Sequence, residues 1–191
     1  MSESDRIRWD RRYAERSAVP TPALPAVFAD FESVFPHTGS ALELACGSGA
    51  AAVWLAMRGL DVHGIDVSDV AIERARLTAR RSGVARRCRF DSVDLDLGLP
   101  PGNPVDVVVC NRFRDRRLDG AVINRLAPGG LLAICVLSEV GAAPGCFSAV
   151  SGELCAAYAA LDVVAAGEGD GQAWLIARAA ALPCRSTPLR S

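Results

Sequence analysis

Lysine is absent from this chain of 191 residues, and all 21 basic residues are arginine. No lysine side chain is therefore available as a general base or for a Schiff base. The arginines are balanced by 22 acidic residues, which gives a formal net charge of −1 at pH 7. This balance provides no global electrostatic argument for binding nucleic acid or an anionic membrane. We therefore expect neither as a partner.

Metal-binding and disulfide patterns are lacking as well. His37 and His63 are the two histidines, and the seven cysteines form no C-x-x-C pair. This pattern favours reduced thiols in a cytoplasmic protein over a disulfide framework or a zinc site. The first residues contain no apolar segment of the kind found in signal peptides, and no apolar run reaches 18 residues. The sequence thus predicts no metal, no signal peptide and no membrane-spanning helix.

The most informative segment is residues 41–54, which reads ALELACGSGAAAVW. A short apolar run precedes Gly47 and Gly49, and an alanine-rich pattern follows, which predicts a buried strand, a glycine turn and a helix over residues 50–58. A helix that begins directly after such a turn points N–H groups and the positive end of its dipole at a ligand above the strand. The glycine spacing also fits the dinucleotide fingerprint, and a tight turn that binds no ligand remains the other alternative.

Acidic residues end the next two predicted strands. Asp66 closes the strand predicted at 60–66, 19 residues after Gly47, and this spacing suits a carboxylate that accepts hydrogen bonds from ribose hydroxyls. The alternative role for Asp66 is a helix cap, although Ser68 or Asp69 is better placed for that. The third predicted strand ends at Asp94. The same type of acid occurs in NAD-binding folds, so Asp66 indicates nucleoside binding without selecting the cofactor.

The pattern Glu43-x-Ala45-x-Gly47-x-Gly49 resembles the first motif of class I S-adenosylmethionine-dependent methyltransferases. Further segments are similar to the small tellurite-resistance and thiopurine methyltransferase type of this family. They are the W-x-x-R-Y segment that begins at Trp9, the P-G-G turn at 128–130, the S-G-E-L segment at 151–154, and the loop 112–118, in which Arg114 replaces an apolar residue and Arg117 replaces proline.

This resemblance implies an α/β fold. It is a Rossmann-like, doubly wound sheet of seven strands in the order 3-2-1-4-5-7-6, with strand 7 antiparallel and helices on both faces. We expect an N-terminal helical lid at residues 1–36, a methyltransferase domain at 37–181, and a loose tail at 182–191.

The resemblance also implies roles for individual residues toward S-adenosylmethionine, whose product is S-adenosylhomocysteine. Glu43 would order the glycine loop, Asp66 would hold the ribose and Asp94 would hold the adenine. Asp91 and Asp96 are alternatives for the adenine contact. The simpler interpretation of Asp94 is an acid on an exposed loop. The lid would close over the cofactor, with Arg12 at the methionine carboxylate. The implied site consists of Trp9, Arg12, Tyr13, Glu43, Ala45, Gly47, Gly49, Asp66, Val67, Asp94, Leu95 and Asn111.

The predicted function is methyl transfer to a small-molecule acceptor at oxygen, sulfur or nitrogen. An N-P-P-Y signature of amino-methylating enzymes is absent after Cys110. No catalytic base can be assigned, and Asp115 and Glu139 are the speculative candidates at strand ends. Two alternatives stay open: a non-catalytic member of the fold that binds a cofactor or a partner, and an NAD-dependent oxidoreductase. A homodimer is also possible. The oxidoreductase would need a nicotinamide-facing half and an acid–base pair, and the sequence provides neither.

Overall fold

A single seven-stranded sheet forms the centre of the molecule. The computed structural model describes residues 3–15, 18–143 and 148–181, so the predicted tail at 182–191 lies outside the described residues. Each predicted apolar run forms a strand. The strands are β1 (Ser40–Leu44), β2 (Asp61–Asp66), β3 (Cys88–Ser92), β4 (Val105–Asn111), β5 (Leu126–Leu137), β6 (Asp162–Gly169) and β7 (Gln172–Arg178).

The strand order is β3-β2-β1-β4-β5-β7-β6. The first five strands pair in parallel, whereas β7 is antiparallel to both β5 and β6. Asp170 and Gly171 connect the final hairpin with φ angles of 51° and 73°, as expected for a tight turn between twisted strands. The predicted fold class and strand order are confirmed.

Helices cover both faces of the sheet, because the central parallel strands are apolar on both sides. One core cluster joins β1 and β4 to Leu55 and Ile72, and the other joins the same strands to Val122 and Leu154. No helix in the described ranges is long and apolar enough to cross a membrane. The helices are α1 (Glu3–Ala14), a 3₁₀ helix (Ala26–Val34), α2 (Ala50–Arg58), α3 (Asp69–Arg81), α4 (Asp119–Arg125) and α5 (Glu153–Ala157).

One local feature differs from the sequence-based expectation. The P-G-G segment at 128–130 is not a turn that precedes a strand but lies inside β5. There the pairing with β4 shifts register, since Val105 pairs with Leu126 and Val107 with Leu131. The glycines accommodate this irregularity, with Gly129 at a φ of 77°.

The N-terminal helix α1 docks on the start of α3. Asp10 accepts hydrogen bonds from the Ser68 hydroxyl at 2.6 Å and from the Val70 N–H at 3.3 Å. The chain then returns toward α2, where the Ala23 N–H donates to the carbonyl of Ala50 at 3.2 Å. These contacts hold α1 and the loop 18–25 over the carboxyl ends of the strands. A domain boundary at residue 36 stays a prediction.

Candidate functional site

A cavity of about 420 Å³ lies at the carboxyl ends of β1, β2 and β4. The chain changes direction in the sheet between β1 and β4, and in open α/β sheets ligands bind at this switch point. The walls come from the loop after β1, from α1, from the loop 18–25 and from the end of β4. Nine of the predicted site residues line it: Trp9, Arg12, Tyr13, Glu43, Ala45, Gly47, Asp66, Val67 and Asn111.

The loop between β1 and α2 alternates into left-handed backbone conformations. The φ angles are 50° at Ala45, 53° at Gly47 and 77° at Gly49. A Cβ atom at position 47 would lie 2.5 Å from Tyr13 Oη, and one at position 49 would lie 2.9 Å from the Cβ of Ala75. Gly47 therefore permits the close approach of α1, whereas Gly49 permits the packing of this loop on α3.

Asp66 connects this loop to the end of β2. Its buried carboxylate accepts hydrogen bonds from the N–H groups of Gly47 and Ser68, both at 2.9 Å. Burial raises the pKa of Asp66, and the backbone hydrogen bonds oppose that shift. Each carboxylate oxygen can accept a second hydrogen bond, so these contacts are compatible with ribose hydroxyls in the cavity. The N-cap of α3 is Ser68 and not Asp66, since the Ser68 side chain accepts a hydrogen bond from the Ala71 N–H.

Glu43 lies beneath the loop and fixes the first turn of α2. Its carboxylate accepts a hydrogen bond from the Ala52 N–H at 2.7 Å. Burial, opposed by the Ala52 N–H and reinforced by the negative charge of Asp66, raises the pKa of Glu43 to about 8. Glu43 thus satisfies one of the N–H groups that the first turn of a helix leaves without a partner.

The high pKa of Glu43 predicts a specific pH dependence of stability. Below pH 8 the folded protein holds a proton on Glu43 that the unfolded chain, with a glutamate pKa near 4.5, releases. Raising the pH from 5 to 8 therefore favours unfolding, by up to about 1.4 kcal/mol per pH unit. In Glu43→Gln this contribution disappears, so the variant gains stability relative to the wild type as pH rises. Urea unfolding at pH 5.5, 6.5 and 7.5 measures the difference, and parallel curves would contradict the assignment.

Three predicted site residues are not among the cavity-lining residues in the described ranges: Gly49, Asp94 and Leu95. The Asp94 carboxylate accepts from the Asp96 N–H at 2.9 Å and caps the 3₁₀ turn Leu95–Leu97. The Leu95 side chain is buried in the core. Of the alternatives, Asp91 contacts His63 at 2.8 Å and Asp96 contacts Arg117 at 2.9 Å. The adenine-binding role of Asp94 and Leu95 stays a prediction.

Several cavity residues were missed in the sequence. Ser48 lies within the motif, and its buried Oγ has no hydrogen-bond partner in the described part of the chain. Arg112 and Phe113 follow β4 and line the opposite wall. Arg112 has a φ of 58°, a conformation that the sequence does not signal in a residue other than glycine. The sequence also gives no signal for Asp10, which docks α1, because it is one of several acids on a charged helix.

The candidate bases do not combine into a catalytic pair. His37 precedes β1 and lies at the end of the sheet opposite the cavity. The half-buried His63 forms a hydrogen bond with Asp91. Asp115 accepts from the Arg117 side chain at 2.7 Å. Cys46 lines the cavity, but burial raises the pKa of its thiol well above the ordinary value. Within the described ranges there is no cluster of metal ligands, and the five cysteines there are free.

Comparison with known proteins agrees with this geometry. Residues 41–130 match the model of a methyltransferase domain family. A 112-residue stretch is 36% identical to ribosomal RNA small subunit methyltransferase C of Alcanivorax borkumensis, covering 53% of this chain and 33% of that protein. Over 109 residues the chain is 32% identical to a ubiquinone biosynthesis O-methyltransferase of Psychrobacter cryohalolentis, covering 54% of this chain and 41% of that protein.

Among solved structures, TehB from Haemophilus influenzae superimposes with a TM-score of 0.72 at 17% identity, covering 90% of this chain and 67% of that one. This likeness shows the fold. The curated relatives share only a third to two fifths of their length with this chain. The matched domain over residues 41–130, the strand order and the glycine loop at the switch point agree with the class I S-adenosylmethionine-dependent methyltransferases that the sequence resembles.

Proposed function

We propose that this protein transfers the methyl group of S-adenosylmethionine to a small-molecule acceptor. The observation that carries the proposal is the floor of the cavity. There, two buried carboxylates, Glu43 and Asp66, hold the glycine loop and the start of α2 in one arrangement. A loop fixed in this way presents backbone N–H groups and the helix dipole to a polar ligand.

The residues present fit this cofactor. The cavity volume of about 420 Å³ lies within the range of small-molecule and cofactor sites. Ser48 is among the lining residues, and its buried Oγ lacks a partner among the described residues, which leaves one hydroxyl able to bind a polar ligand group after a small rearrangement. Asp66 would accept from the ribose hydroxyls, and Arg12 would bind the methionine carboxylate, since guanidinium and carboxylate form strong paired hydrogen bonds.

When bound, the cofactor supplies a methyl carbon on a sulfonium, and an acceptor lone pair forms the new bond as the carbon–sulfur bond leaves its electrons on sulfur. The chain contributes alignment, which by itself lowers the barrier of a two-reactant step. Trp9 and Tyr13 exclude water from above. Asn111 and Phe113 border the side from which an acceptor would approach.

A small acceptor is favoured by the covering of the cavity. Trp9 and Tyr13 from α1, with Pro20 and Leu24 from the following loop, line the cavity, and Asp10 fastens α1 to α3. A folded macromolecule would have to displace this cover before it reached the cofactor. The relatives include a ribosomal RNA methyltransferase and a ubiquinone biosynthesis O-methyltransferase, so similarity alone does not select an acceptor.

Calorimetric titration with S-adenosylmethionine, S-adenosylhomocysteine and NAD tests the proposal. We expect micromolar binding of both adenosyl ligands and none of NAD. Asp66→Asn should weaken both at least tenfold, because one charged acceptor of ribose hydrogen bonds is lost. The matched control is Asp61→Asn at the other end of β2, where the exposed carboxylate contacts Arg87. Binding of NAD alone would overturn the proposal, and binding of no ligand would favour a non-catalytic member of the fold.

A further inference from the structure

Arg112 occupies an unusual place at the edge of the cavity. It follows the last buried residues of β4 and has a φ of 58°, a left-handed conformation that costs a non-glycine residue about 1–2 kcal/mol. A hydrogen bond from its N–H to the carbonyl of Cys135 at 2.7 Å holds the backbone there. The exposed side chain is one of those that line the cavity.

The guanidinium of Arg112 has no carboxylate partner among the described residues, although its neighbours in the same loop do. Arg114 contacts Glu153 at 3.0 Å, Arg116 contacts Glu153 at 2.6 Å, and Arg117 contacts Asp115 at 2.7 Å. Arg112 lines the cavity, as Arg12 does, so its charge is available to a bound ligand.

The charges in the cavity do not balance when the cofactor is considered. The two guanidinium groups are those of Arg12 and Arg112, whereas the Asp66 carboxylate accepts from two backbone N–H groups and Glu43 holds a proton at neutral pH. S-adenosylmethionine brings a sulfonium, an ammonium and one carboxylate. That carboxylate can serve one guanidinium, so the other is left for a different anion.

We infer that the methyl acceptor carries a carboxylate or phosphate group that binds Arg112, attached to an apolar body that packs on Phe113. The inference rests on the proposed function and specifies the acceptor class. Phe113 follows Arg112 directly and lines the same wall, and Trp9 and Leu24 add apolar surface across the cavity. An acid with an aromatic or other apolar body would bind Arg112 through its anionic group and pack on Phe113 through its body.

Benzoate, phenyl phosphate and the neutral isostere benzamide serve as probes, titrated calorimetrically into the protein with and without saturating S-adenosylhomocysteine. We expect both anions to bind at least tenfold more tightly than benzamide. In Arg112→Gln the affinity for benzoate should fall about tenfold or more, as for loss of a charge-assisted hydrogen bond. The affinity for S-adenosylhomocysteine should stay within about twofold, because Arg112 is assigned to the acceptor.

Arg11→Gln is the matched control, because it removes the same charge from α1 at an exposed arginine whose neighbour is Glu15. It should leave the binding of all three probes unchanged. Equal affinity for benzoate and benzamide, including no measurable binding of either, would overturn the inference, as would an unchanged affinity in Arg112→Gln. Failure of S-adenosylhomocysteine to bind would count against the proposed function instead, and the titration of the free protein would still decide the anion site.

Discussion

Gly47→Ala is expected to weaken the binding of S-adenosylhomocysteine about a hundredfold. Residue 47 has a φ of 53°, and a Cβ atom there would lie 2.5 Å from Tyr13 Oη. The substitution therefore combines backbone strain of about 1–2 kcal/mol with displacement of the aromatic cover over the cavity. The strain falls on the residue whose N–H donates to Asp66 at 2.9 Å, so this hydrogen bond is distorted as well. Calorimetric titration of the variant measures the effect.

Two further variants separate strain from displacement of the cover. Gly83→Ala places the same strain at a φ of 73° in a loop where no heavy atom lies within 4 Å of the new Cβ, and it should leave ligand binding unchanged. Adding Tyr13→Phe to Gly47→Ala removes the closest atom, so the nearest contact becomes the ring carbon at 3.3 Å. The double variant should recover part of the affinity. An equal loss in the double variant would show that α1 does not set the geometry of the loop.

The sequence predicted those parts of the fold that depend on neighbouring residues. An apolar run, two glycines and an alanine-rich segment define β1, the loop and α2, and the helix spans the predicted residues 50–58. Ser68 caps α3 as expected, because a serine before a helical pattern is a local signal. The strand order, by contrast, came from the family resemblance, since no local pattern tells which strands pair.

Contacts between distant residues were not predictable in the same way. Asp10 and Ser68 are 58 residues apart, and neither hydrophobic periodicity nor spacing relates them. The P-G-G segment has the composition of a turn, but the pairing of β4 with β5 absorbs it as a bulge. The sequence predicted a strand that ends at Asp94, but β3 ends at Ser92 and Asp94 caps the following 3₁₀ turn.

The arginine-rich loop 112–118 shows the same limit. In the sequence it is a run of charges, and such runs usually lie on a solvated face. The structure buries Arg114 between α4 and α5, with its side chain 3% exposed. It contacts Asp119 at 2.8 Å and Glu153 at 3.0 Å, and the Tyr158 hydroxyl donates to Asp119 at 3.0 Å. This network anchors the loop that presents Arg112 and Phe113 to the cavity.

Arg114→Met is therefore expected to destabilise the protein by about 3 kcal/mol, because Asp119 loses its guanidinium partner and Glu153 loses one of two in a largely buried network. For a chain of this size the melting temperature should fall by about 6–12 °C. Arg117→Met is the matched control in the same loop. Its guanidinium contacts Asp115 and Asp96 but is 65% exposed, so the loss of stability should be much smaller than in Arg114→Met.

Thermal and urea unfolding of both variants at neutral pH make the comparison. If Arg114→Met costs no more than Arg117→Met, the network does not anchor the loop, and the position of Arg112 must depend on its own backbone contact to Cys135. If the two differ as expected, weaker anchoring should also reduce benzoate binding in Arg114→Met, although residue 114 itself does not line the cavity in the described structure. If Arg114→Met lowers both the stability of the protein and its affinity for benzoate, the buried network is linked to the anion site through the loop between them.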